Sequence, residues 1–313
     1  MGYRILVTGG AGYLGSVLVP ELLLNGHEVT MVDNFMYQQN SLAHICYHPN
    51  FTAVRGDVRI ESEMSRLIKT ADIIIPLAAY VGAPLCARDP VGASSTNCEA
   101  ILMMLRSLEK HQRILMPTTN SAYGTGDDNN YCTEESALNP LSLYAIEKVK
   151  VESELMQHPN AISFRLATVF GMSPRMRIDL LVNDFTYRAV KDRFIVLFEG
   201  GFKRNYVHVR DVARAFIHSI ENHEKMKGNI YNVGLSEANI SKIELCKEIK
   251  KQLPSFTFIE APIGKDPDQR NYIVSNTKIE KTGYYSMHSL EFGVKELIKG
   301  YEMLSNTRYG NIN

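Results

Sequence analysis

Short apolar runs alternate with amphipathic stretches along roughly the first 117 residues of the chain. The runs with the length of a strand are 3–7, 27–32, 51–55, 72–77 and 113–117. The stretches with a helical repeat of apolar residues are 17–24, 61–69 and 97–110. The run 72–77 is almost continuously apolar, as is typical of a strand buried on both faces of a parallel sheet. The alternation therefore predicts an α/β fold with a doubly wound parallel sheet of the Rossmann type.

A glycine-rich turn joins the first predicted strand to the first predicted helix. Gly9, Gly12 and Gly15 follow the strand in the spacing G-x-x-G-x-x-G. The first glycine permits a tight turn, the second lets the backbone approach a pyrophosphate, and the third lets the helix pack closely on the strand. The N–H groups at the start of a helix also favour a diphosphate. This turn predicts a dinucleotide site.

Acidic and small residues follow the next predicted strands. Asp33 ends the second strand, 18 residues beyond Gly15. A carboxylate there can hold the adenosine 2′-OH and would repel a 2′-phosphate, which favours NAD over NADP. Asp57 follows the third strand, where it can reach an adenine amino group or cap the next helix. Ala78 and Ala79 follow the fourth strand, and their small side chains would let the nicotinamide end lie against the backbone.

The segment after the fifth predicted strand contains the candidate chemistry, because sites in such sheets lie beyond the carboxyl ends of the strands. Tyr144 and Lys148 are four residues apart, so they share one helical face. A nearby ammonium lowers the pKa of a phenol and can hold ribose hydroxyls. Tyr187 and Lys191 have the same spacing, but no βα array precedes them. We therefore predict a chemical role for the first pair and a place on an ordinary helix face for the second.

The composition narrows the classes of partner. The 313 residues carry 34 Lys+Arg and 34 Asp+Glu, a balance that indicates neither nucleic acid nor a membrane surface as partner. The first residues enter a strand directly, without a signal segment. Five scattered cysteines form no paired framework, which fits the reducing cytoplasm. The only cluster of the metal-ligand type, His44-x-Cys46-x-His48, lacks a nearby fourth ligand, so we predict no metal site.

Together, the motifs resemble those of the extended short-chain dehydrogenase/reductases of the NAD-dependent epimerase/dehydratase family. The resemblance covers nearly the whole chain. It rests on segments 8–15, 33–34, 56–58, 77–79, 118–124, 144–148, 164–166, 170–171, 204–213 and 231–234.

The resemblance implies specific roles for these residues. Tyr144 would be the active-site base, Lys148 its electrostatic partner and a ribose ligand, and Thr119 the hydroxyl that polarises the reacting sugar oxygen. The implied NAD contacts are Gly9, Gly12, Tyr13, Leu14, Gly15, Asp33, Asn34, Asp57, Val58, Leu77, Ala78, Ala79, Asn97, Tyr144 and Lys148. The implied substrate contacts are Tyr80, Asn120, Ser121, Arg175, Arg204 and Arg270, of which Arg204 and Arg270 match the pair that clamps a diphosphate.

The same resemblance implies a domain organisation and a class of substrate. We expect an NAD-binding Rossmann domain over 1–168, to which 206–234 returns. A smaller α/β domain, 169–205 and 235–313, would bind the substrate, a nucleotide-diphosphate sugar. Members of the family suggest a homodimer formed through the helices at 97–110 and 144–156.

The residues after Thr119 separate the reactions of the family. Its 4,6-dehydratases read Thr-Asp-Glu, whereas this chain has Asn120 and Ser121, which cannot supply an acid and a base. Hydride transfer at sugar C4 remains, in a 4-epimerase, a 4-dehydrogenase or a 4-ketoreductase. Thr168 stands where several epimerases carry Asn, which leaves the usual substrate contacts there open. From another class, a dinucleotide-binding sensor without catalysis is the alternative, and the intact Thr119, Tyr144 and Lys148 speak against it.

Overall fold

The computed structural model describes residues 2–125, 130–264 and 270–304. The strands are β1 Arg4–Thr8, β2 Glu28–Asp33, β3 Phe51–Arg55, β4 Ile73–Pro76, β5 Arg113–Thr119, β6 Ala161–Leu166, β7 Thr168–Phe170, β8 Phe194–Leu197, β9 Lys203–His208, β10 Asn229–Val233, β11 Asn239–Ser241 and β12 Thr257–Glu260. The α-helices are α1 Gly15–Leu24, α2 Glu61–Ile68, α3 Ala83–Arg88, α4 Pro90–Ser94, α5 Ala100–Ser107, α6 Leu143–Leu155, α7 Leu181–Lys191, α8 Val209–Glu221, α9 His223–Met226, α10 Lys242–Gln252, α11 Thr277–Glu280 and α12 Leu290–Met303.

A seven-stranded sheet forms the centre of the molecule, in the order β10-β6-β5-β4-β1-β2-β3. All its neighbouring strands are parallel. The five predicted strands are β1 to β5, with bounds shifted by no more than two residues. The strand order reverses beside β1, between β4 and β2, where ligands of such sheets bind. The predicted fold class is confirmed.

Two apolar layers cover the faces of this sheet. On one face, Leu18 and Leu22 of α1 and Phe216 of α8 pack in one buried cluster. On the other face, Met64 of α2 and Ile101 of α5 belong to a second cluster. Because both faces are covered, the central strand β4 is apolar and buried along its whole length, and this continuity made it recognisable in the sequence.

A second region contains the smaller sheets. A three-stranded sheet has the order β11-β9-β7, and β12 pairs with β8 in a two-stranded sheet. Phe256, Leu245, Val294 and Tyr301 are among the residues that form a separate core around them. From this region α8 leads back to β10, which joins the seven-stranded sheet beside β6. The chain therefore enters the second region after β6, returns to the large sheet through α8, and enters the second region again after β10. Both regions border the cavity described below.

The helix predicted over 97–110 differs from the observed elements. The structure has α4, a π-helical turn over Ser95–Glu99, and then α5, which ends at Ser107. The small residues Gly92 and Ala93 carry no apolar repeat, so the sequence pattern reveals the helix only from its later turns. The π turn contains Asn97, one of the predicted cofactor contacts.

Across the described ranges, every helix is too short or too polar to cross a lipid bilayer.

Candidate active site

One cavity of about 910 Å³ lies between the seven-stranded sheet and the second region. From the sheet side it is lined by the predicted residues Gly9, Gly12, Tyr13, Leu14, Gly15, Asp33, Asn34, Asp57, Val58, Leu77, Ala78, Ala79, Tyr80, Thr119, Ser121, Tyr144 and Lys148. From the second region it is lined by the predicted Arg175, Arg204 and Arg270. Residues chosen from separate motifs therefore converge on one site.

The glycine-rich turn leaves space that a side chain would fill. Gly9 has φ +66°, and a Cβ on it would lie 2.5 Å from the nitrogen of Ala78. A Cβ on Gly15 would lie 2.6 Å from Cα of Gly10, at the start of α1. Glycine is thus required both for the turn and for the close approach of the helix start to the backbone of that turn. The resulting cradle of backbone N–H groups at a helix start fits the pyrophosphate of NAD.

Asp33 is held in place by the glycine-rich turn and the following loop. Its carboxylate accepts hydrogen bonds from the backbone N–H groups of Ala11 (3.1 Å) and Phe35 (2.8 Å) and from Nε2 of Gln39 (3.2 Å). Burial raises the pKa of this carboxyl, while these donors oppose the rise. A fixed acceptor facing the cavity beside the turn fits an adenosine ribose hydroxyl.

Asp57 lines the same end of the cavity, but the alternative role as a helix cap is wrong. Its Oδ1 accepts the backbone N–H of Arg59 at 3.0 Å, in a turn before α2. The helix begins at Glu61 after Ile60, which forms no side-chain cap. The guanidinium of Arg59 also donates to the Asp57 carboxylate, and this hydrogen bond lowers the pKa of Asp57. The carboxylate is therefore charged at the place predicted for adenine.

Asn97 lies outside the lining of the cavity. Its Nδ2 donates to the carbonyl of Tyr80 at 2.9 Å, and its Oδ1 accepts the N–H of the same residue at 2.8 Å. The π turn directs this amide toward the loop after β4. Asn97 thus fixes the backbone of a wall residue and is one layer removed from the place expected for a cofactor contact.

Thr119, Tyr144 and Lys148 face the cavity from β5 and α6. Ser142 caps α6 by accepting the N–H of Ala145 at 3.3 Å. The Lys148 Nζ donates to the carbonyl of Pro117 at 3.4 Å, which ties the helix to the strand before Thr119. The three side chains predicted to carry the chemistry are therefore brought together by two adjacent elements.

The electrostatics of this group differ from the sequence-based expectation. Burial raises the pKa of Tyr144 to about 12, and the cations that oppose the rise are Arg177 and Arg270 rather than Lys148. Burial also lowers the pKa of Lys148 to about 8. In the protein alone, desolvation of both groups therefore outweighs the attraction that Lys148 was expected to supply.

A buried network supports the back of this site. Glu152 lies on α6 at the next turn beyond Lys148, and its carboxylate binds the guanidinium of Arg165 at 2.6 Å. The same carboxylate accepts hydrogen bonds from Thr118 (2.8 Å) and Ser163 (2.7 Å). Arg165 thus stabilises the packing of α6 behind the end of β5. Tyr187, of the second Tyr-x-x-x-Lys pair, packs edge-to-face on the ring of Tyr301 in the second core.

The predicted substrate residues occupy different parts of the cavity. Arg270 donates to Oγ of Ser121, at the catalytic loop. This contact arises because Asn271 bridges to Thr125, which brings the segment beside that loop. Residues 266–269, which precede Arg270 in the sequence, lie outside the described residues. Asn120 is buried and is not among the residues that line the cavity.

Arg175 lies nearer to the cofactor residues than to Arg204. Its guanidinium sits over the ring of Tyr37 at 4.4 Å, and its charge acts on Asp33. The cause is the backbone: the Arg175 N–H donates to Oγ of Ser16 at 3.3 Å, close to the start of α1. We expected Arg175 on the substrate wall, and the tertiary structure instead places it beside the adenosine end.

Sequence reasoning missed the wall residues Tyr37 and Lys242, and it named Arg177 only as a further cation of the second region. Tyr37 comes from the irregular loop after β2, and Lys242 is the first residue of α10. Arg177 lines the cavity and pairs with Asp179, with Nε 3.2 Å from Oδ1. A periodic pattern gives no signal for such residues. For Lys242, the capping box of Ser241 and Glu244 could have marked the helix start, but not the direction of the lysine.

Comparison with characterised proteins gives relatives over nearly the full length of the chain. The low-salt glycan biosynthesis protein Agl12 of Haloferax volcanii is 27% identical, with 95% of this chain and 98% of the relative covered. The UDP-glucuronic acid decarboxylase 1 of Arabidopsis thaliana is 26% identical, with 95% and 69% covered.

Solved structures share the fold. A UDP-glucose 4-epimerase from Thermotoga maritima with UDP-glucose has a TM-score of 0.83 at 25% identity, with 96% of this chain and 99% of that chain covered. A UDP-glucuronic acid 4-epimerase from Bacillus cereus in complex with UDP-glucuronic acid and NAD has a TM-score of 0.85 at 21% identity, with 96% and 100% covered. The sequence model of the NAD dependent epimerase/dehydratase family matches residues 5–234. The chain therefore belongs to the NAD dependent epimerase/dehydratase family, whose members are NAD-dependent enzymes of nucleotide sugars.

Proposed function

We propose that this protein oxidises a nucleotide-diphosphate sugar at C4, as a 4-epimerase or a 4-dehydrogenase. The observation that carries the proposal is that Thr119, Tyr144 and Lys148 line the same cavity as the glycine-rich turn and the cationic wall of the second region. A cofactor and an anionic substrate bound along these two walls would meet at Tyr144. The 4-ketoreductase uses the same residues in the opposite direction.

The side chains divide the chemistry among them. Tyr144 takes the proton of the sugar C4 hydroxyl as the hydride leaves C4, and Thr119 donates a hydrogen bond to the same oxygen. When bound, NAD would accept the hydride. The positive charge of its nicotinamide ring would also favour loss of the proton from the buried Tyr144. Lys148, protonated below its pKa of about 8, stabilises the phenolate that Tyr144 must become. The fate of the 4-keto sugar, reduction on its other face or release, separates an epimerase from a dehydrogenase.

The site offers little support for 4,6-dehydration. That reaction needs an acid and a base beside C5 and C6. Ser121 presents a hydroxyl that accepts a hydrogen bond from Arg270, and the Asn120 amide lies outside the cavity lining. Neither residue can exchange a proton with the sugar near neutral pH.

A second candidate is decarboxylation of a uronic acid sugar. Arg177 and Arg270 both act electrostatically on Tyr144, so the reacting end of the cavity is cationic and suits a sugar carboxylate. Oxidation at C4 turns such a substrate into a β-keto acid, which loses CO₂ without a further acid–base pair. The names of the curated relatives, UDP-glucuronic acid decarboxylases among them, agree with this candidate.

A panel of nucleotide sugars tests these alternatives. The protein is incubated with NAD and, in turn, UDP-glucose, UDP-glucuronic acid, dTDP-glucose and GDP-mannose, while reduced nicotinamide is followed by absorbance and the sugars by NMR. We expect a 4-epimer or a 4-keto sugar from at least one of them, or CO₂ and a pentose from the uronic acid. The absence of reduced cofactor, keto sugar, epimer and CO₂ with every sugar would instead support a non-catalytic dinucleotide-binding sensor.

We further propose a homodimer in a reducing compartment. The five cysteines are unpaired. On α6, Ile146 is half exposed, which suits the predicted contact through α5 and α6. Sedimentation of wild type and of Ile146→Glu measures this: a dimer that becomes a monomer supports the contact, and an unchanged mass contradicts it.

A further inference from the structure

We propose that Asn183 is a positioning residue of the candidate active site: its side-chain amide fastens the segment that carries Arg177 to the glycine-rich turn, and so fixes that guanidinium in the cavity. This inference rests on the proposed function above, in which Tyr144 is the base, and adds a residue that supports it. Asn183 itself is not among the residues that line the cavity.

The chain between β7 and α7 has no regular secondary structure. Residues 171–180 form neither a helix nor a strand, so their backbone groups need partners elsewhere. Asn183 lies in the first turn of α7 and is 0% exposed. Its Nδ2 donates to the carbonyl of Arg177 at 2.8 Å, and its Oδ1 accepts the N–H of Gly171 at 3.0 Å. One side chain therefore holds two separate points of this segment.

The same amide reaches the glycine-rich turn. Its Nδ2 also donates to Oη of Tyr13 at 3.3 Å, and that hydroxyl donates to the carbonyl of Gly171 at 2.7 Å. Tyr13 stands between Gly12 and Gly15, at the predicted pyrophosphate cradle. The amide, the hydroxyl and the backbone of Gly171 thus close a ring of hydrogen bonds between the cradle and the second region.

A second set of contacts fastens the middle of the segment to the same turn. Oγ of Ser173 donates to the carbonyl of Tyr13 at 2.7 Å and lies 2.9 Å from Oγ of Ser16. Oγ of Ser16 in turn accepts the N–H of Arg175 at 3.3 Å. Asn183 continues this attachment to Arg177, two residues further along the chain.

An amide suits these partners because it combines a donor and an acceptor. The N–H of Gly171 can only donate, and the carbonyl of Arg177 can only accept, so the partners also fix the orientation of the amide. A carboxylate in its place would set an acceptor against the carbonyl. An apolar side chain would leave both backbone groups without a partner, which is costly for buried groups.

The position of Arg177 matters for the proposed chemistry. Its side chain lines the cavity and donates from Nε to Oδ1 of Asp179 at 3.2 Å. Burial raises the pKa of Tyr144, and Arg177 is one of the cations that oppose the rise. A displaced segment would move this charge relative to the phenol. We therefore expect Asn183 to act on the reaction through Arg177.

A double-mutant cycle tests whether Asn183 acts through Arg177. Asn183→Leu keeps a similar shape without a donor or an acceptor, and we expect it to lower kcat about 10-fold, as the loss of one hydrogen bond does. In an Arg177→Met background the same substitution should change kcat by less than about 2-fold, because the group on which it acts is gone. A further loss of about 10-fold in that background would overturn the inference.

The Nε–H group of Arg177 reports its position without any turnover. Its hydrogen exchange is followed by NMR in full-length protein with NAD, and its signal is assigned with Arg177→Met. We expect Asn183→Leu to speed this exchange about 10-fold. The Nε–H of Arg165, which donates to Glu152 at 3.0 Å, should exchange as in wild type. Unchanged exchange at Arg177, or equal acceleration at both arginines, would contradict the inference.

Asn276 provides the matched control. It is a buried asparagine before α11 that donates to Oγ of Ser236 at 3.3 Å, and it is not among the residues that line the cavity. Asn276→Leu should lose stability but keep the kcat and the Arg177 exchange rate of wild type. Losses in Asn276→Leu equal to those in Asn183→Leu would assign both to general destabilisation and overturn the inference.

Tyr13→Phe covers the case in which Asn183→Leu does not fold. It removes a single oxygen, the one that accepts from Asn183 and donates to Gly171, so exchange at Arg177 should speed up by about 3-fold. Unchanged exchange in this variant would overturn the inference. A protein that shows the expected changes in exchange but turns over no sugar would count against the proposed function alone.

Discussion

The two walls of the cavity are built in different ways. On the cofactor side, key residues stand at the carboxyl ends of the strands of one parallel sheet: Gly9 follows β1, Asp33 ends β2, and Asp57 and Ala78 come two residues after β3 and β4. The cations of the opposite wall come from a strand, a helix start and a loop of the second region. Residues that follow parallel strands necessarily share an edge, whereas the second wall depends on how separate sheets pack.

The walls also differ in charge. Asp33 and Asp57 give the cofactor wall two carboxylates, which are the acceptors we predict for ribose and adenine. Arg204, Lys242 and Arg270 give the other wall three cations, which suit phosphate and carboxylate. Tyr144, the proposed base, lines the same cavity, so we expect both ligands to influence it. Four predictions test this division.

The largest effect is expected where the walls meet. Tyr144→Phe removes the phenol that takes the C4 proton in the proposed reaction, so kcat should fall by about 10²- to 10⁴-fold. NAD binding should persist, since the cradle is unchanged. Steady-state rates and NAD titration measure both. Tyr187→Phe is the control because Tyr187 packs on Tyr301, and equal losses in the two variants would mean that Tyr144 has no special role.

The cost of burying a cation beside Tyr144 appears in the pH dependence of stability. Since Lys148 has a pKa of about 8 when folded and about 10.4 when unfolded, the unfolded chain binds more protons between these values. The unfolding free energy of wild type therefore gains about 3 kcal/mol from this group as pH rises from 8 to 10.4. Lys148→Met lacks this gain.

Urea unfolding of the nucleotide-free proteins between pH 7 and pH 10 follows that difference. Lys148→Met should be at its most stable relative to wild type at pH 7 and lose this advantage toward pH 10. A difference between the two proteins that stays constant with pH would refute the burial of a charged Lys148.

On the cofactor wall, Gly9→Ala tests the backbone cradle. The new methyl meets Ala78 and the residue has φ +66°, so we expect a loss of about 1–3 kcal/mol in unfolding free energy, with weaker NAD binding. Gly26 is the matched control: it has φ +79° but open space around it. Gly26→Ala should show the strain alone and bind NAD normally. Equal stability losses would assign the whole effect to φ.

On the substrate wall, Arg204→Met and Arg270→Met should differ in kind. Arg204 lines the cavity but is not among the cations that lower the pKa of Tyr144, so its loss should raise KM by roughly 10-fold and lower kcat less. Arg270 acts on Tyr144, so its loss should lower kcat by roughly 10-fold and shift the pH–rate profile to higher pH. Steady-state rates from pH 6 to pH 9 compare the two. Identical changes in KM and kcat would contradict a distinct effect of Arg270 on Tyr144.

Much of the cofactor wall was readable in the sequence because its signals are local. The strand, the glycine spacing and the acidic residue at a strand end each occupy only a few neighbouring residues. The parallel sheet then brings these residues together, because the carboxyl ends of its strands lie at one edge. The predicted helix over 97–110 failed at both ends, since a π turn and small residues do not follow a 3.6-residue repeat. Asn97 accordingly supports Tyr80 from behind, which no local pattern could indicate.

By itself, the sequence determined the parallel sheet, the NAD cradle and the identity of the Tyr144–Lys148 pair, because these depend on residues close in the chain. Only the tertiary structure decided where the cations go. Ser16 accepts the backbone N–H of Arg175 near the start of α1, the bridge between Asn271 and Thr125 sets Arg270 beside the loop after β5, and Arg204 comes from β9 of a separate sheet. The same packing buries Tyr144 and Lys148. Burial raises the pKa of the phenol and lowers that of the ammonium, whereas their spacing alone predicts a lowered pKa for the phenol.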